Sequence, residues 1–478
     1  MGITKLWSYV HENLDEKAYK KCRIEDFKDK TLLFDTKGLI YRVKFGNKGV
    51  ASYLRIFISI VEECLKNNII PIFIMDGLPP KSKLFVNLKR KEQRLKTEED
   101  IKDAQEWLKK KKKDLDLPIE FTAQEVLDSG LEISEENIES LMTMEESLSK
   151  KIDSKVTVSD DDVGMVYFLL ERMGCWVLRG HGEGEALCSM MNRLDLGYAV
   201  VTEDSDSFPF GAKRVIRNWG SEKKESCMRI YDCQEIMKGL EIDLDKMIEI
   251  CILCGNDFNN GVKLRGFAFQ TSIEQIKEHN TIENIIENKL KENHTKKRKN
   301  PFQVPEEFDP YTPRREFYSY AKYPKLFDYI KIPKEFHWKP EEIIAYFKYN
   351  KLSTLIPSFV TCYEKATGRT LEPEKIEPKQ FNTKLPLPPN LSHLESEQID
   401  QLTIEEYEKY VNSFKNIQSS KSSSISSTAS SSNKTHINMK EEILFTESNE
   451  DKKSTSSKSF IEDEEDEEEE FLIISKKI

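Results

Sequence analysis

The chain has 478 residues and a formal net charge of −11, from 73 Lys and Arg against 84 Asp and Glu. Hydrophobic residues make up 38% and charged residues 33%, which excludes collagen-like and small disulfide-rich classes and indicates some unstructured length. No apolar run reaches the roughly 18 residues that span a bilayer, so we expect no membrane partner and no signal peptide.

Short apolar runs rich in β-branched and aromatic residues predict four strands, and the segments between them carry helical patterns. The predicted strands are 31–34, 69–75, 175–178 and 198–201. The predicted helices are about 50–67, 83–113, 160–173, 184–194, 244–254 and 340–349. Strands that alternate with helices predict an α/β fold with a mostly parallel sheet covered on both faces.

Composition separates the remaining segments. Residues 114–158 are acidic and lack a clear apolar period, so we interpret them as an insertion that is mobile or partly helical. A small helical region is expected to follow up to 375, and order is expected to fade from about 376, where a Ser-rich linker leads into an acidic tail. Residues 440–478 hold 14 acidic and 6 basic side chains, a net charge of −8.

A basic stripe lies at 81–113, where 13 Lys and Arg stand against 6 Asp and Glu. It includes Lys89-Arg90-Lys91 and five consecutive lysines from Lys109. Such a run binds phosphates in some proteins and is a solvated mixed-charge helix in others. Its neighbours therefore decide its interpretation.

Carboxylates follow three of the predicted strands, and others lie at helix ends. Ligands of open α/β sheets bind beyond the carboxyl ends of the strands, so these side chains should converge. Each acid alone could be an ordinary turn or cap residue. Together they predict one acidic pocket made of Asp35, Asp76, Glu183, Glu185, Asp204, Asp206 and Asp257.

Clustered carboxylates repel one another, so the pocket requires cations or raised pKa values. Ligation by oxygen alone favours Mg²⁺ or Mn²⁺, and the absence of His and Cys from these motifs argues against zinc. Two Mg²⁺ ions about 4 Å apart would stabilise both oxygens of an in-line phosphodiester displacement. The predicted reaction class is metal-dependent phosphodiester hydrolysis.

Cations that could hold the phosphate lie directly after Asp76. Lys83 and Arg90 are seven residues apart, two helical turns on one face of the predicted helix. Tyr41, six residues after Asp35 and predicted at the start of the next helix, either stacks on a nucleobase or packs in the core.

With these motifs in order, residues 1–275 resemble the xeroderma pigmentosum group G superfamily of structure-specific five-prime nucleases, and most of all its flap endonuclease branch. The motifs that carry the resemblance are Met1-Gly2-Ile3 with Leu6, Asp35 with Tyr41, Asp76-Gly77 with Pro79-Pro80, Lys83 and Arg90, Glu183-Gly184-Glu185-Ala186, Thr202-Glu203-Asp204-Ser205-Asp206 with Phe210-Gly211, and Gly255-Asn256-Asp257.

The resemblance implies a PIN-like, mostly parallel sheet covered by helices, with a helical cap or arch insertion and a small C-terminal helical region. Its regions would be 1–113 with a basic gateway helix, 114–158 as an acidic cap insertion, 159–275 as the internal nuclease region, 276–375 as the helical C-terminal region, and 376–478 as a largely disordered tail. The seven acids would hold two Mg²⁺ ions, with Mn²⁺ able to substitute. Lys83 and Arg90 would be catalytic, and the DNA-binding residues would be Gly2, Tyr41, Lys83, Lys89 and Arg90.

The implied activity is a Mg²⁺-dependent, structure-specific DNA endonuclease that removes five-prime flaps and has five-prime to three-prime exonuclease activity. Its partners would be DNA with single-strand and double-strand junctions and a replication or repair protein bound by the C-terminal tail. We expect it inside the cell, in the nucleus or, for a viral protein, at a cytoplasmic site of DNA replication. A five-prime exoribonuclease and a catalytically inactive scaffold stay open as alternatives.

Two features depart from the family pattern. Where the family has a Gly-rich helix-two-turn-helix that grips duplex DNA with K⁺, this chain has Leu264 in place of the expected glycine. The span from Asp76 to Glu183 is longer than in a typical flap endonuclease, with 114–158 as the surplus.

Overall fold

The computed structural model describes residues 3, 5–46, 49–77, 80–131, 133–154, 157–180, 182–221, 227–259, 262–295, 300–322 and 337–383. The predictions made for Gly2, the Ser-rich linker and the acidic tail lie outside these residues.

The described strands form one sheet whose pairing follows the predicted pattern. They are β1 Tyr19–Lys21, β2 Thr31–Asp35, β3 Ile70–Met75, β4 Trp176–Arg179, β5 Ala199–Val201, β6 Arg214–Arg217 and β7 Arg229–Asp232. Their order across the sheet is β1-β7-β6-β5-β2-β3-β4. Neighbours from β6 through β4 pair in parallel, whereas β7 pairs antiparallel with both β6 and β1. The predicted mostly parallel sheet is confirmed.

Helices surround the sheet, and none of those described is long and apolar enough to cross a membrane. They are α1 Leu6–Asn13, α2 Thr36–Gly46, α3 Val50–Lys66, α4 Leu84–Asp114, α5 Ala123–Asp128, α6 Glu135–Ser154, α7 Asp160–Arg172, α8 Gly184–Arg193, α9 Cys233–Gly239, α10 Leu244–Cys254, α11 Phe269–His279, α12 Ile282–Thr295, α13 Tyr311–Lys322, α14 Pro340–Tyr349 and α15 Ile356–Thr367.

Alternating side chains of each strand build two cores, one on each face of the sheet. Leu33 of β2 packs with Ile72 of β3 in a cluster that includes α1 and α8 to α13. Leu32 and Phe34 of β2 pack with Phe73 in the opposite cluster, which includes α2, α3, α7, α14 and α15. The sheet is therefore covered by helices on both faces, as predicted.

The pattern on the sequence identifies four strands and six helices, and it misses others, including α2 and the long helix α6. All four predicted strands and all six predicted helices lie within one or two residues of the observed bounds. The unpredicted strands β1, β6 and β7 carry charged residues within their three or four positions, whereas the equally short β5 is wholly apolar and is predicted. Helix α2 begins immediately after β2, so Tyr41 lies in the middle of this helix and the prediction that it lies at the start is wrong.

The described part of the acidic insertion contains two helices, α5 and α6. Helices α5 and α6 pack against the end of α4 through a small separate cluster, which includes Leu108, Val126 and Leu141. The buried Lys112 Nζ donates to Glu145 Oε1 at 2.8 Å and so joins α4 to α6 by an ion pair. The basic helix α4 and the acidic helix α6 thus pack against each other as a helical hairpin.

The C-terminal helices are packed on both cores. Arg314 of α13 donates to Glu283 of α12 and pairs with Glu249 of α10, whose side chain is only 7% exposed. On the other face, Phe381 packs against Phe168 of α7. Packing against the sheet's helices therefore continues as far as Phe381.

We expect Arg314→Ala to lower the free energy of unfolding by about 3–5 kcal/mol, because it leaves the buried Glu249 carboxylate without its cation. Urea unfolding followed by circular dichroism measures the change. The control Lys291→Ala, which breaks the exposed pair with Glu287, should change stability by less than about 0.5 kcal/mol. Equal effects of the two variants would show that the buried pair does not hold α13 in place.

Candidate active site at the carboxyl edge of the sheet

The predicted acids follow the carboxyl ends of neighbouring strands. Asp35 ends β2, Asp76 follows β3, and Asp204 lies just beyond β5. Because β2 pairs with both β3 and β5, these ends are adjacent. The other four acids are Glu183 at the N-cap of α8, Glu185 in its first turn, Asp206 in the turn after β5, and Asp257 after α10.

Asp35 is the most enclosed acid on the strands. It accepts hydrogen bonds from Thr202 Oγ1 at 2.9 Å and from the Gly38 amide at 3.3 Å. Burial, followed by the charge of Asp76, raises the pKa of Asp35 to about 7. A Cβ atom on Gly38 would lie 2.5 Å from Asp35 Oδ2, so a glycine is needed for α2 to start this close to the carboxylate.

Asp76 is held from two sides. Its Oδ1 accepts the Gly184 amide of α8 at 2.9 Å, and its Oδ2 accepts Lys37 Nζ of α2 at 2.6 Å. A Cβ on Gly184 would approach Asp76 Oδ1 to 2.9 Å, which ties this glycine to the contact. Lys37 is a site residue that the sequence motifs do not identify. Its position in the first turn after Asp35 is the signal that could have found it.

Glu185 and Asp206 form the buried centre of the cluster. Burial, and next the charge of Asp204, raises the pKa of each well above its ordinary value. The Asp206 amide donates to Asp204 Oδ1 at 3.1 Å, which fixes the two aspartates in one turn. These acids therefore lie near enough to repel each other.

Lys83 and Arg90 reach the cluster from the start of α4. The buried Lys83 Nζ donates to Glu183 Oε2 at 3.0 Å and lies 3.8 Å from Asp257 Oδ2. Burial, the largest single effect, would lower the pKa of Lys83, but the charges of Glu183 and the neighbouring acids together outweigh it and the pKa is raised. Arg90 Nη2 donates to both carboxylate oxygens of Asp257, at 2.9 and 3.0 Å. The two cations thus share one acid.

The remaining predicted residues are dispersed around this cluster. Tyr41 is half-buried on α2, and Lys89 is exposed on α4. Glu203, within the Asp204 motif, turns away and accepts from Arg42 Nη1 at 2.8 Å. The Ile3 amide donates to Ser205 Oγ at 2.5 Å, which fastens the start of the chain to the turn that carries Asp204 and Asp206.

The donor set fits divalent cations by its chemistry. Within the described residues, no three His, Cys, Asp or Glu side chains are already gathered as a metal-binding group. The chain's own cations neutralise part of the cluster instead, with Lys37 on Asp76 and Lys83 on Glu183. Carboxylate oxygens in a buried, mutually repelling set are the ligands that hard divalent ions take.

Two family models match the parts of the chain that carry this cluster. Residues 1–97 match the XPG N-terminal domain, and residues 174–257 match the XPG I-region. The seven acids, Tyr41, Lys83 and Arg90 all lie within these two ranges.

Similar proteins include flap endonucleases. The chain is 26% identical over 307 residues to "Flap endonuclease 1" of Plasmodium chabaudi chabaudi, covering 59% of this chain and 56% of that protein. It is 28% identical over 296 residues to "Flap endonuclease 1-A" of Sorghum bicolor, covering 59% and 68%. The chain thus spans little more than half the length of the first of these relatives. A solved structure of the catalytic core of Rad2 in complex with DNA substrate has a TM-score of 0.49 at 20% identity, covering 78% of this chain and 97% of that one.

We expect Asp206→Asn to raise the thermal midpoint in EDTA at pH 8 by about 3 °C, because it removes a buried charge that Asp204 repels. Differential scanning calorimetry provides the measurement. Asp195→Asn is the matched control, since its side chain is 78% exposed and pairs with Lys213 far from the cluster. A midpoint lowered by Asp206→Asn would mean that the cluster is not under electrostatic repulsion.

Proposed function

We propose that this chain is a structure-specific DNA endonuclease, which cuts five-prime flaps and degrades DNA from five-prime ends. The chain belongs to the XPG nuclease family through its N-terminal domain and I-region. The observation that carries the proposal is the set of seven carboxylates at one sheet edge, with Lys83 and Arg90 bound to it. An acidic set with phosphate-binding cations is the requirement of metal-assisted phosphodiester hydrolysis.

The acids would hold two Mg²⁺ ions, for which Mn²⁺ could substitute. When bound, the ions would supply an activated water and stabilise the charge that develops on the phosphate oxygens. The raised pKa values of Glu185 and Asp206 support this assignment, because a divalent cation offsets the burial of negative charge that raises them.

Lys83 and Arg90 would contact the scissile phosphate. A phosphodiester shares one negative charge over two oxygens, as a carboxylate does, so the contact of Arg90 Nη2 with both oxygens of Asp257 resembles the contact that the guanidinium would make with substrate. Lys83 packs over the Phe258 ring at 4.5 Å, which limits its motion and holds its charge at the acids.

The helices on either side would position the DNA. Tyr41 on α2 would stack on the nucleotide at the cleavage point, and Lys89 on α4 would contact the backbone. The basic helix α4 starts at the site, and its far end pairs with α6 through Lys112 and Glu145. This hairpin would admit a single strand beside the acids.

We further propose that the activity serves DNA replication, repair or recombination, in the nucleus or at a viral cytoplasmic replication site, with a protein partner at the C-terminal tail.

We expect purified protein with Mg²⁺ to cut an end-labelled five-prime flap at its junction, and Asp204→Ala to reduce kcat by at least about 10³-fold, because it removes a metal ligand. Asp195→Ala, an exposed aspartate at the opposite edge of the sheet, should cut like the wild type. Matched RNA is included in the assay: faster cutting of RNA would indicate an exoribonuclease, and no cutting of either substrate would indicate a scaffold.

Lys83→Ala and Arg90→Ala should each lower kcat by about 10²-fold or more while changing KM less, because they stabilise charge that develops in the transition state. Single-turnover cleavage of the same flap separates the two effects. Thermal unfolding checks that each variant is folded, and Lys291→Ala controls for the loss of a distant charge. Weaker binding at an unchanged kcat would reduce both residues to backbone contacts.

A further inference from the structure

Lys37 is a third cation at the site, and none of the predicted roles includes it. It lies in the first turn of α2, two residues after Asp35. Its Nζ donates to Asp76 Oδ2 at 2.6 Å, and its side chain is 46% exposed, whereas that of Lys83 is 8% exposed. Lys83 is therefore enclosed by its acids, while Lys37 covers an acid from the solvent side and has room to leave it.

Asp76 cannot serve Lys37 and a metal ion equally well. Its Oδ1 accepts the Gly184 amide and its Oδ2 accepts Lys37 Nζ, so a cation on this small carboxylate would lie close to the ammonium group. An ammonium group and a divalent ion on one carboxylate repel each other strongly at this distance. Metal binding at Asp76 would thus release Lys37.

A released Lys37 has a natural second partner on its own helix. Tyr41 is four residues further along α2, on the same face one turn away. A nucleotide whose base stacks on Tyr41 would carry its phosphate beside the lysine, one sugar away.

We propose that Lys37 exchanges partners: it pairs with Asp76 while no metal is bound, and it contacts the phosphate of the nucleotide on Tyr41 once a divalent ion has taken Asp76. The inference rests on the proposed function and adds a residue to it. DNA affinity would then depend on the divalent ions in two ways, directly and through the release of Lys37. No covalent step is involved.

Calorimetric titration with Mn²⁺ alone tests the first half, with no substrate present. Lys37→Met should bind Mn²⁺ about threefold to tenfold more tightly than the wild type, because the competing charge is gone. Lys213→Met is the matched control, since Lys213 Nζ makes the same kind of bond to Asp195, at 2.7 Å, at the opposite edge of the sheet. Unchanged Mn²⁺ affinity in Lys37→Met overturns the exchange.

The salt dependence of flap binding tests the second half. In Ca²⁺, the slope of log affinity against log salt should fall by about one for Lys37→Met and stay at the wild-type value for Lys37→Arg and Lys213→Met. In EDTA the slope of Lys37→Met should equal that of the wild type, because Lys37 then stays on Asp76. A fall of the same size in EDTA, or none in Ca²⁺, overturns the proposal.

The two proposals fail in different ways. If the wild type neither binds nor cuts flap DNA, the proposed function fails, whatever the Mn²⁺ titration gives. If the wild type cuts the flap and Lys37→Met matches it in both Mn²⁺ affinity and the salt dependence of flap binding, only the exchange fails. Lys37→Gln, which keeps a polar side chain, replaces Lys37→Met if the latter does not fold.

Discussion

The mutual repulsion of buried carboxylates at one sheet edge is the constraint around which this protein is organised. A parallel sheet brings the ends of β2, β3 and β5 together, and each end carries an acid. Burial makes their negative charge unfavourable, so other elements must deliver positive charge to the same place. Helix α2 delivers Lys37 and the start of α4 delivers Lys83 and Arg90. These helices therefore supply the positive charge that partly balances the acids.

Close backbone approach completes the arrangement. Gly38 and Gly184 let the first turns of α2 and α8 approach Asp35 and Asp76 without a side chain between them. Amides at these helix starts then point at carboxylates, where the helix dipole favours negative charge. The C-terminal part takes part as well, because Glu316 of α13 accepts from Ser82 Oγ at 3.0 Å, next to Lys83. The site thus draws on the C-terminal helices as well as on the sheet.

In the hairpin of α4 and α6, charges of opposite sign lie mainly on different helices. Basic residues dominate α4, and acidic residues begin α6. Where the two helices meet, Lys112 of α4 pairs with Glu145, and Asp100 of α4 pairs with Lys151, so each helix supplies both signs at the contact. The small cluster beneath them supplies the apolar contact that an otherwise polar insertion needs to fold.

The sequence by itself determined the central strands, six of the helices and the seven acids, because buried strands and amphipathic helices leave a local pattern and an acid that follows a strand is visible in the sequence. The spacing of Lys83 and Arg90 likewise placed both on one side of α4. Only the tertiary structure decided that Lys37 pairs with Asp76, that Glu203 turns away to Arg42, and that the short strands β1, β6 and β7 extend the sheet. These outcomes depend on partners up to about 200 residues away in the chain, and no local pattern encodes which distant charge or strand edge will be nearest once the chain has folded.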